Sequence, residues 1–180
     1  MNAPIIVAAI LAPADLAWAD GLRRAHFPPE RNRLPAHLTL FHHLPPSAGD
    51  ELARRLRVIA AAPRPAAEVD RVRKLGGGVA LDVRTPDLVA MRAALADGFA
   101  GQLTPQDAAG WRPHITIQNK VTAAAAAALH AALSRDFRPR PIGIAGIATH
   151  HYVEGDWQPI ARFMFRGWRR PSRASRGRPW

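Results

Sequence analysis

Two tetrapeptides carry the residue types that could do chemistry: His37-Leu38-Thr39-Leu40 and His114-Ile115-Thr116-Ile117. A proline lies just upstream of each, and a short polar or turn segment and then an apolar helix-like run come after. In an extended strand, residues i and i+2 share a face. His37 and Thr39 therefore point one way, with Leu38 and Leu40 opposite. His114 and Thr116 do the same, with Ile115 and Ile117 opposite. If the two strands face each other, two imidazoles and two hydroxyls converge on one cleft. That set suits an in-line displacement at phosphorus. A neutral imidazole takes the proton of the attacking oxygen, and an imidazolium gives one to the leaving oxygen. An unperturbed histidine pKa near ~6.5 makes both forms available at neutral pH. Each threonine hydroxyl can donate to a non-bridging phosphoryl oxygen. A single such tetrapeptide is more often a pair of ordinary sheet residues, and it is the recurrence with matching flanks that separates it from chance.

Extending the alternation places Phe41 and His43 on the face of His37, and Gln118 and Lys120 on the face of His114. Phe41 there could stack on a nucleobase or simply pack between lobes. Lys120 could meet a phosphate as a point charge or be a solvated strand end. Arg112 shares the parity of His114, but Pro113 interrupts it. Arg31 and Arg33 lie in a proline-rich loop that could overhang the cleft or be solvated. The adjacent pairs His42-His43 and His150-His151 do not chelate from one strand, because neighbours point to opposite faces; no metal site is expected. Gly76-Gly77-Gly78 precedes no helix and reads as a hairpin turn.

The elements that must position these residues repeat as well. Pro4 to Leu11 is a continuous apolar strand, followed by a helix from Pro13, then the first motif strand. Ser47 with Asp50 resembles a capping pair for a helix whose stripe is Leu52, Leu56 and Ile59. Two strands around the glycines come next. Then there is a helix with Thr85 as cap and Pro86 at its first position, and after it the second motif strand. Thr122 caps an alanine-rich helix, and two strands flank Glu154-Gly155-Asp156. Ile6 precedes His37 by 31 residues and Ala80 precedes His114 by 34. The chain thus reads as α/β (α+β) and bilobal. Duplicated β-α-β-α-β lobes are related by a pseudo-two-fold axis, with a central cleft between two sheets.

Length and composition fit this. The 180 residues suit one domain, and 48% hydrophobic residues supply a core. Residues 1–167 form the expected bilobal domain. Residues 168–180 are a basic tail expected to be disordered, a solvated extension or a polyanion-binding arm. The net charge is +11, and the stretch from Arg166 to Trp180 has six arginines and no acid. There is no cysteine, which excludes disulfides, thiolate metal sites and a cysteine nucleophile and is compatible with a reducing cytoplasm. No apolar run approaches the ~20 residues of a membrane span. Ala17-Trp18-Ala19 mimics a signal cleavage site, but a basic leader is missing, so the start reads as a buried strand.

With its two His-x-Thr-x motifs in a bilobal α/β pattern, the chain resembles the 2H phosphoesterase superfamily. It is most similar to the 2′-5′ RNA ligase (LigT-like) and RNA 2′,3′-cyclic phosphodiesterase family. The resemblance in element order covers about residues 4 to 167. It implies opening of a 2′,3′-cyclic phosphate to a 2′-phosphate, and in some members the joining of RNA through a 2′-5′ bond. It also implies that His37 and His114 are the acid/base pair and that Thr39 and Thr116 bind phosphate. The expected partner is RNA or a nucleotide with a cyclic phosphate. No cofactor and no membrane are expected, and the protein should be a cytoplasmic monomer. A non-catalytic module that binds RNA ends is the competing reading. Two departures touch the substrate side. Many members continue the first motif with Phe-Leu-Gly, where this chain has Phe41-His42-His43. Many have an arginine shortly after the second, where this chain has Gln118-Asn119-Lys120.

Overall fold

The computed structural model describes residues 3–167; the tail expected at 168–180 lies outside the described residues. The first two elements already set the pattern of both lobes: an apolar strand, then a helix opened by proline. Strand β1 (Ile5–Leu11) is buried along almost its whole length. Helix α1 (Pro13–His26) starts on a proline, whose missing N–H costs nothing at the first helical position. It stops before Pro28-Pro29, which cannot continue a helix. Strand β2 (Leu38–Leu44) comes next, then α2 (Gly49–Ala60), whose Leu52 and Leu56 form the buried stripe. Ser47 does not cap α2. It lies in a 3-10 turn over Pro46–Ala48, and the cap position falls to Ala48.

The glycines make the expected hairpin between β3 (Glu68–Leu75) and β4 (Gly78–Arg84). At Gly78 the reason is steric: a Cβ there would overlap the Gln118 carbonyl of the neighbouring strand. Helix α3 (Pro86–Gly98) begins after Thr85, but the Thr85 side chain makes no cap bond and its buried Oγ1 has no partner among the described residues. A short helix α4 (Pro105–Ala108), not expected from the sequence, precedes β5 (His114–Gln118). Thr122 caps α5 (Ala123–Arg135) as expected, accepting from the Ala125 N–H at 3.2 Å. A two-residue β6 (Arg140–Pro141) and the hairpin β7 (Ile144–Val153) and β8 (Asp156–Met164) complete the described chain.

Two four-stranded sheets result, ordered β2-β1-β7-β8 and β5-β4-β3-β6, with every pairing antiparallel. The orders correspond position for position. The two motif strands β2 and β5 hold equivalent edges, in contact with each other. The lobes are not consecutive halves of the chain, however. The β3 strand leaves the first half to pair with β4, and the β7–β8 hairpin returns to pair with β1. Helix α2 packs on β7 and β8, and α5 packs on β3 and β4. Leu38, Leu40, Ile115 and Ile117, the aliphatic partners in the two motifs, are all fully buried. Their burial fixes the opposite faces of β2 and β5 toward the cleft.

Candidate active site

His37 stands just before β2, and its Nδ1–H donates to the Pro35 carbonyl at 2.8 Å. His114 opens β5, and its Nδ1–H donates to the Arg112 carbonyl, also at 2.8 Å. Since a carbonyl can only accept, each ring carries its proton on Nδ1 and keeps Nε2 as the reactive nitrogen. The same bond to the carbonyl two residues back thus sets the same tautomer in both copies. Thr39 and Thr116 are partly buried on the motif strands. Their backbone carbonyls are claimed from other elements. Trp111 Nε1 donates to Thr39 O at 3.0 Å, and Arg23 Nη1 donates to Thr116 O at 2.8 Å.

Beyond each threonine the strict alternation fails, and it fails at the same motif position. In β2, Thr39 pairs with Ala8, but Phe41 pairs with Val7, so Leu40 and Phe41 together oppose one residue. In β5, Thr116 pairs with Ala80, but Gln118 pairs with Val79, so Ile117 and Gln118 do the same. Each is a β-bulge, and its extra residue flips the parity of the positions after it. Phe41 is therefore not on the face of His37. It is fully buried in the core, with the Arg92 guanidinium 4.5 Å over its ring. Gln118 is turned in too, 8% exposed, with Oε1 lacking a partner among the described residues. His42 rather than His43 lines the pocket beside His114. The His43 side chain is exposed outside that pocket. Lys120 lies past the end of β5, where strand parity no longer applies. It is exposed, with a positive φ of 62°, and its N–H donates to Asn119 Oδ1 at 2.8 Å. Arg112, whose carbonyl holds His114, also lines the pocket.

Sequence reasoning missed the groups that hold this frame. Asp107, on α4, is almost completely buried. It accepts from the His42 backbone N–H at 2.9 and 3.0 Å, from the His43 N–H at 2.8 Å, and from His42 Nδ1 at 3.1 Å. Burial works to raise its pKa, but the bonds from the His42 ring and the two backbone N–H groups outweigh it and hold the carboxyl below its usual range. The Thr104-Pro105 pair was the available signal for α4, since Thr104 Oγ1 accepts from the Asp107 N–H just as a cap should. Two buried arginines cross between lobes. Arg23 of α1 binds Thr116 O, Leu34 O and Asn32 Oδ1. Arg92 of α3 binds Leu40 O at 3.3 Å and the Asp107 carbonyl. No local pattern distinguishes either from a surface arginine.

Trp157 of β8 packs against His37, with ring centroids 4.7 Å apart at 49°, and against His150 at 5.3 Å. Burial of the His37 ring lowers its pKa to about 4. Its bond to the Pro35 carbonyl opposes the shift, and the charges of Arg23, His42 and His114 add to it. His37 is therefore neutral at physiological pH, and His114 is near enough for its charge to be felt there. Burial, then Arg162, also lowers His150. Among the described residues no group of three or more His, Asp or Glu is placed to hold a metal ion. Also among the described residues, no helix is long and apolar enough to cross a membrane. The arrangement thus offers a neutral imidazole, a second imidazole near enough to act on it, and two partly buried threonines on contacting edge strands.

Two antiparallel sheets presenting paired His-x-Thr strands at facing edges define a 2H phosphoesterase fold. The chain belongs to the 2′-5′ RNA ligase superfamily, whose family model matches residues 11–156. Solved structures agree in fold. Escherichia coli LigT complexed with NADP+ matches at a TM-score of 0.60 and 18% identity, covering 91% of this chain and 98% of that one. The same protein complexed with 3′-AMP matches at 0.59 and 21% identity, covering 92% and 99%. A Thermus thermophilus protein matches at 0.55 and 17% identity, covering 91% and 98%. No curated protein matches the sequence.

Proposed function

We propose that the protein opens 2′,3′-cyclic phosphates, at RNA ends or on small nucleotides, to 2′-phosphates by two-histidine acid/base catalysis. One observation carries the reading: both imidazoles are locked through Nδ1 to a backbone carbonyl, leaving two Nε2 atoms as the groups that can exchange protons in the cleft. The low pKa of His37 keeps its Nε2 free of a proton and so available for the base role. In the proposed step a water oxygen attacks phosphorus while His37 Nε2 takes a proton from that water. The bond from phosphorus to O3′ breaks, and His114, in its protonated form, delivers a proton from Nε2 to O3′. The product is a 2′-phosphomonoester with a free 3′-hydroxyl, and the next turnover begins once the two rings re-equilibrate their protons. Thr39 and Thr116 hydroxyls donate to the non-bridging oxygens, where negative charge is held. A ribose 5′-hydroxyl in place of water gives a 2′-5′ phosphodiester by the same proton transfers, so a joining activity needs no additional group. The nucleotides named in the LigT complexes, 3′-AMP and NADP+, are consistent with a nucleotide-sized ligand here. We place the reaction in the cytoplasm and assign it to a monomer.

Turnover of adenosine 2′,3′-cyclic phosphate in excess chelator tests the reading, with the product identified by phosphorus NMR. A 2′-phosphate product is expected. Tight binding without any turnover would turn the protein into an RNA-end-binding module.

A further inference from the structure

His114 lines a pocket together with His42, Arg73, Gln106, Trp111 and Arg112. Nothing in the proposed reaction uses those other side chains. The chemistry of the walls is one-sided. Its two neighbouring carboxylates are already committed: Asp82 accepts Arg71 Nε at 2.9 Å and Arg73 Nε at 2.6 Å, and Asp107 accepts the three N–H groups of His42 and His43. Neither has a free face for a cation or an amine. The donors, by contrast, are partly unclaimed. Arg73 Nη2 is a buried nitrogen with no hydrogen-bond partner among the described residues. Such a donor loses its water without compensation unless something binds it. The Arg112 guanidinium is exposed and makes no side-chain bond among the described residues. Arg92, also in the lining, is occupied on Leu40 O and Asp107 O. Two guanidinium groups with unclaimed N–H donors around one concavity, beside carboxylates that are already occupied, fit a tetrahedral oxyanion with several oxygens to satisfy.

We propose that this pocket is a second phosphate site, which takes the phosphate next to the reacting one on a nucleotide chain. The inference rests on the cyclic phosphodiesterase reading and deepens it. Because the pocket shares His114 with the reaction centre, a phosphate held by Arg73 and Arg112 anchors the chain while the terminal cyclic phosphate lies between the histidines. The preferred substrate is then the end of an oligonucleotide, or a nucleotide carrying a further 5′-phosphate, over a bare cyclic mononucleotide. It also offers compensation for the departure after the second motif: Arg73 and Arg112 present guanidinium groups to the substrate that Gln118-Asn119-Lys120 do not supply.

The test is direct binding to the full chain. Calorimetry compares adenosine 2′-monophosphate with adenosine 2′,5′-bisphosphate at low ionic strength. The bisphosphate should bind at least about tenfold more tightly, the scale of a charge-assisted contact, and the gain should shrink as salt is raised. Arg112→Ala and Arg73→Gln should each remove most of that gain, whereas Arg54→Ala, on the outer face of α2, should keep it. Arg112 is exposed, so its variant reads out even if Arg73→Gln fails to fold. Equal affinities in the wild type, or a gain that survives Arg112→Ala, overturn the site. So does a gain lost equally in Arg54→Ala, which would be only general charge attraction. The measurement needs no turnover. A protein that fails here while still hydrolysing the cyclic mononucleotide loses the second site but keeps the reaction; one that binds the bisphosphate tightly but never turns over keeps the site and loses the reaction.

Discussion

The two motif strands, β2 and β5, are built alike and surrounded differently. Both hold their histidine by a 2.8 Å bond from Nδ1 to the carbonyl two residues back, and both bulge just after the threonine. In both, a buried arginine from a helix of the other half binds a strand carbonyl. The surroundings then diverge. His37 is partly buried against Trp157, and that burial holds its pKa down to about 4. His114 instead lines a pocket together with Arg73, Arg92 and Arg112. The shared features fix geometry and tautomer. The unshared ones give two chemically identical side chains different surroundings, which under the proposed reaction suit one to the base role and leave the other as the acid.

The largest effect expected on breaking either copy is on turnover. His37→Ala and His114→Ala should each lower kcat by ~10²–10⁴-fold. The double variant should be far less than multiplicatively worse, because acid and base act in one displacement. Near-normal turnover in either single variant breaks the pairing.

The arginine braces come next. Arg23→Met orphans three acceptors and Arg92→Met two, so unfolding free energies from denaturant titration should fall in both, by ~2–3 kcal/mol and more for Arg23. With residual folded protein, kcat should drop more than KM rises, since the loss is of alignment between strands. An equal, purely additive loss of stability with untouched kcat would make the braces structural only.

A smaller and sharper effect isolates the difference between the copies. Trp157→Ala opens the His37 ring to water, so its pKa should rise from about 4 toward the ordinary ~6.5. The acid limb of the rate profile should move up with it, while Trp157→Phe should hold it low. Stability has the same sign. Unfolded His37 takes up its proton near ~6.5, folded His37 only near about 4, so acidification through that window weakens the wild-type fold. The variant should narrow the window. The smallest effects concern two threonines that look alike in sequence. Thr122→Ala should cost ~1 kcal/mol, because its cap bond is made. Thr85→Val should be neutral or slightly stabilising in thermal melts, because its buried hydroxyl has no partner among the described residues to lose.

Legible in the sequence was whatever strand periodicity decides over a few residues. His37, Thr39, His114 and Thr116 and their buried aliphatic partners all lie before the bulges, so parity held for them. Phe41 and Gln118 lie just after, where register against β1 and β4 decides, and those strands are remote in the chain. The lobe boundary was hidden for the same reason, because β3 and β7 choose partners through antiparallel pairing across the whole chain. Asp107 lies 65 residues from the His42 it holds, and Arg23 lies 93 from the carbonyl it binds. Nothing in the local pattern around either residue names its partner.

The most direct test of the account is the pH dependence of kcat/KM for adenosine 2′,3′-cyclic phosphate, measured in excess chelator. The expected profile is bell-shaped, with an acid limb near pH 4 set by neutral His37 as base and displaced upward by Trp157→Ala. An acid limb near ~6.5 that ignores Trp157→Ala, or activity that vanishes with chelator and returns with a divalent metal, would contradict it.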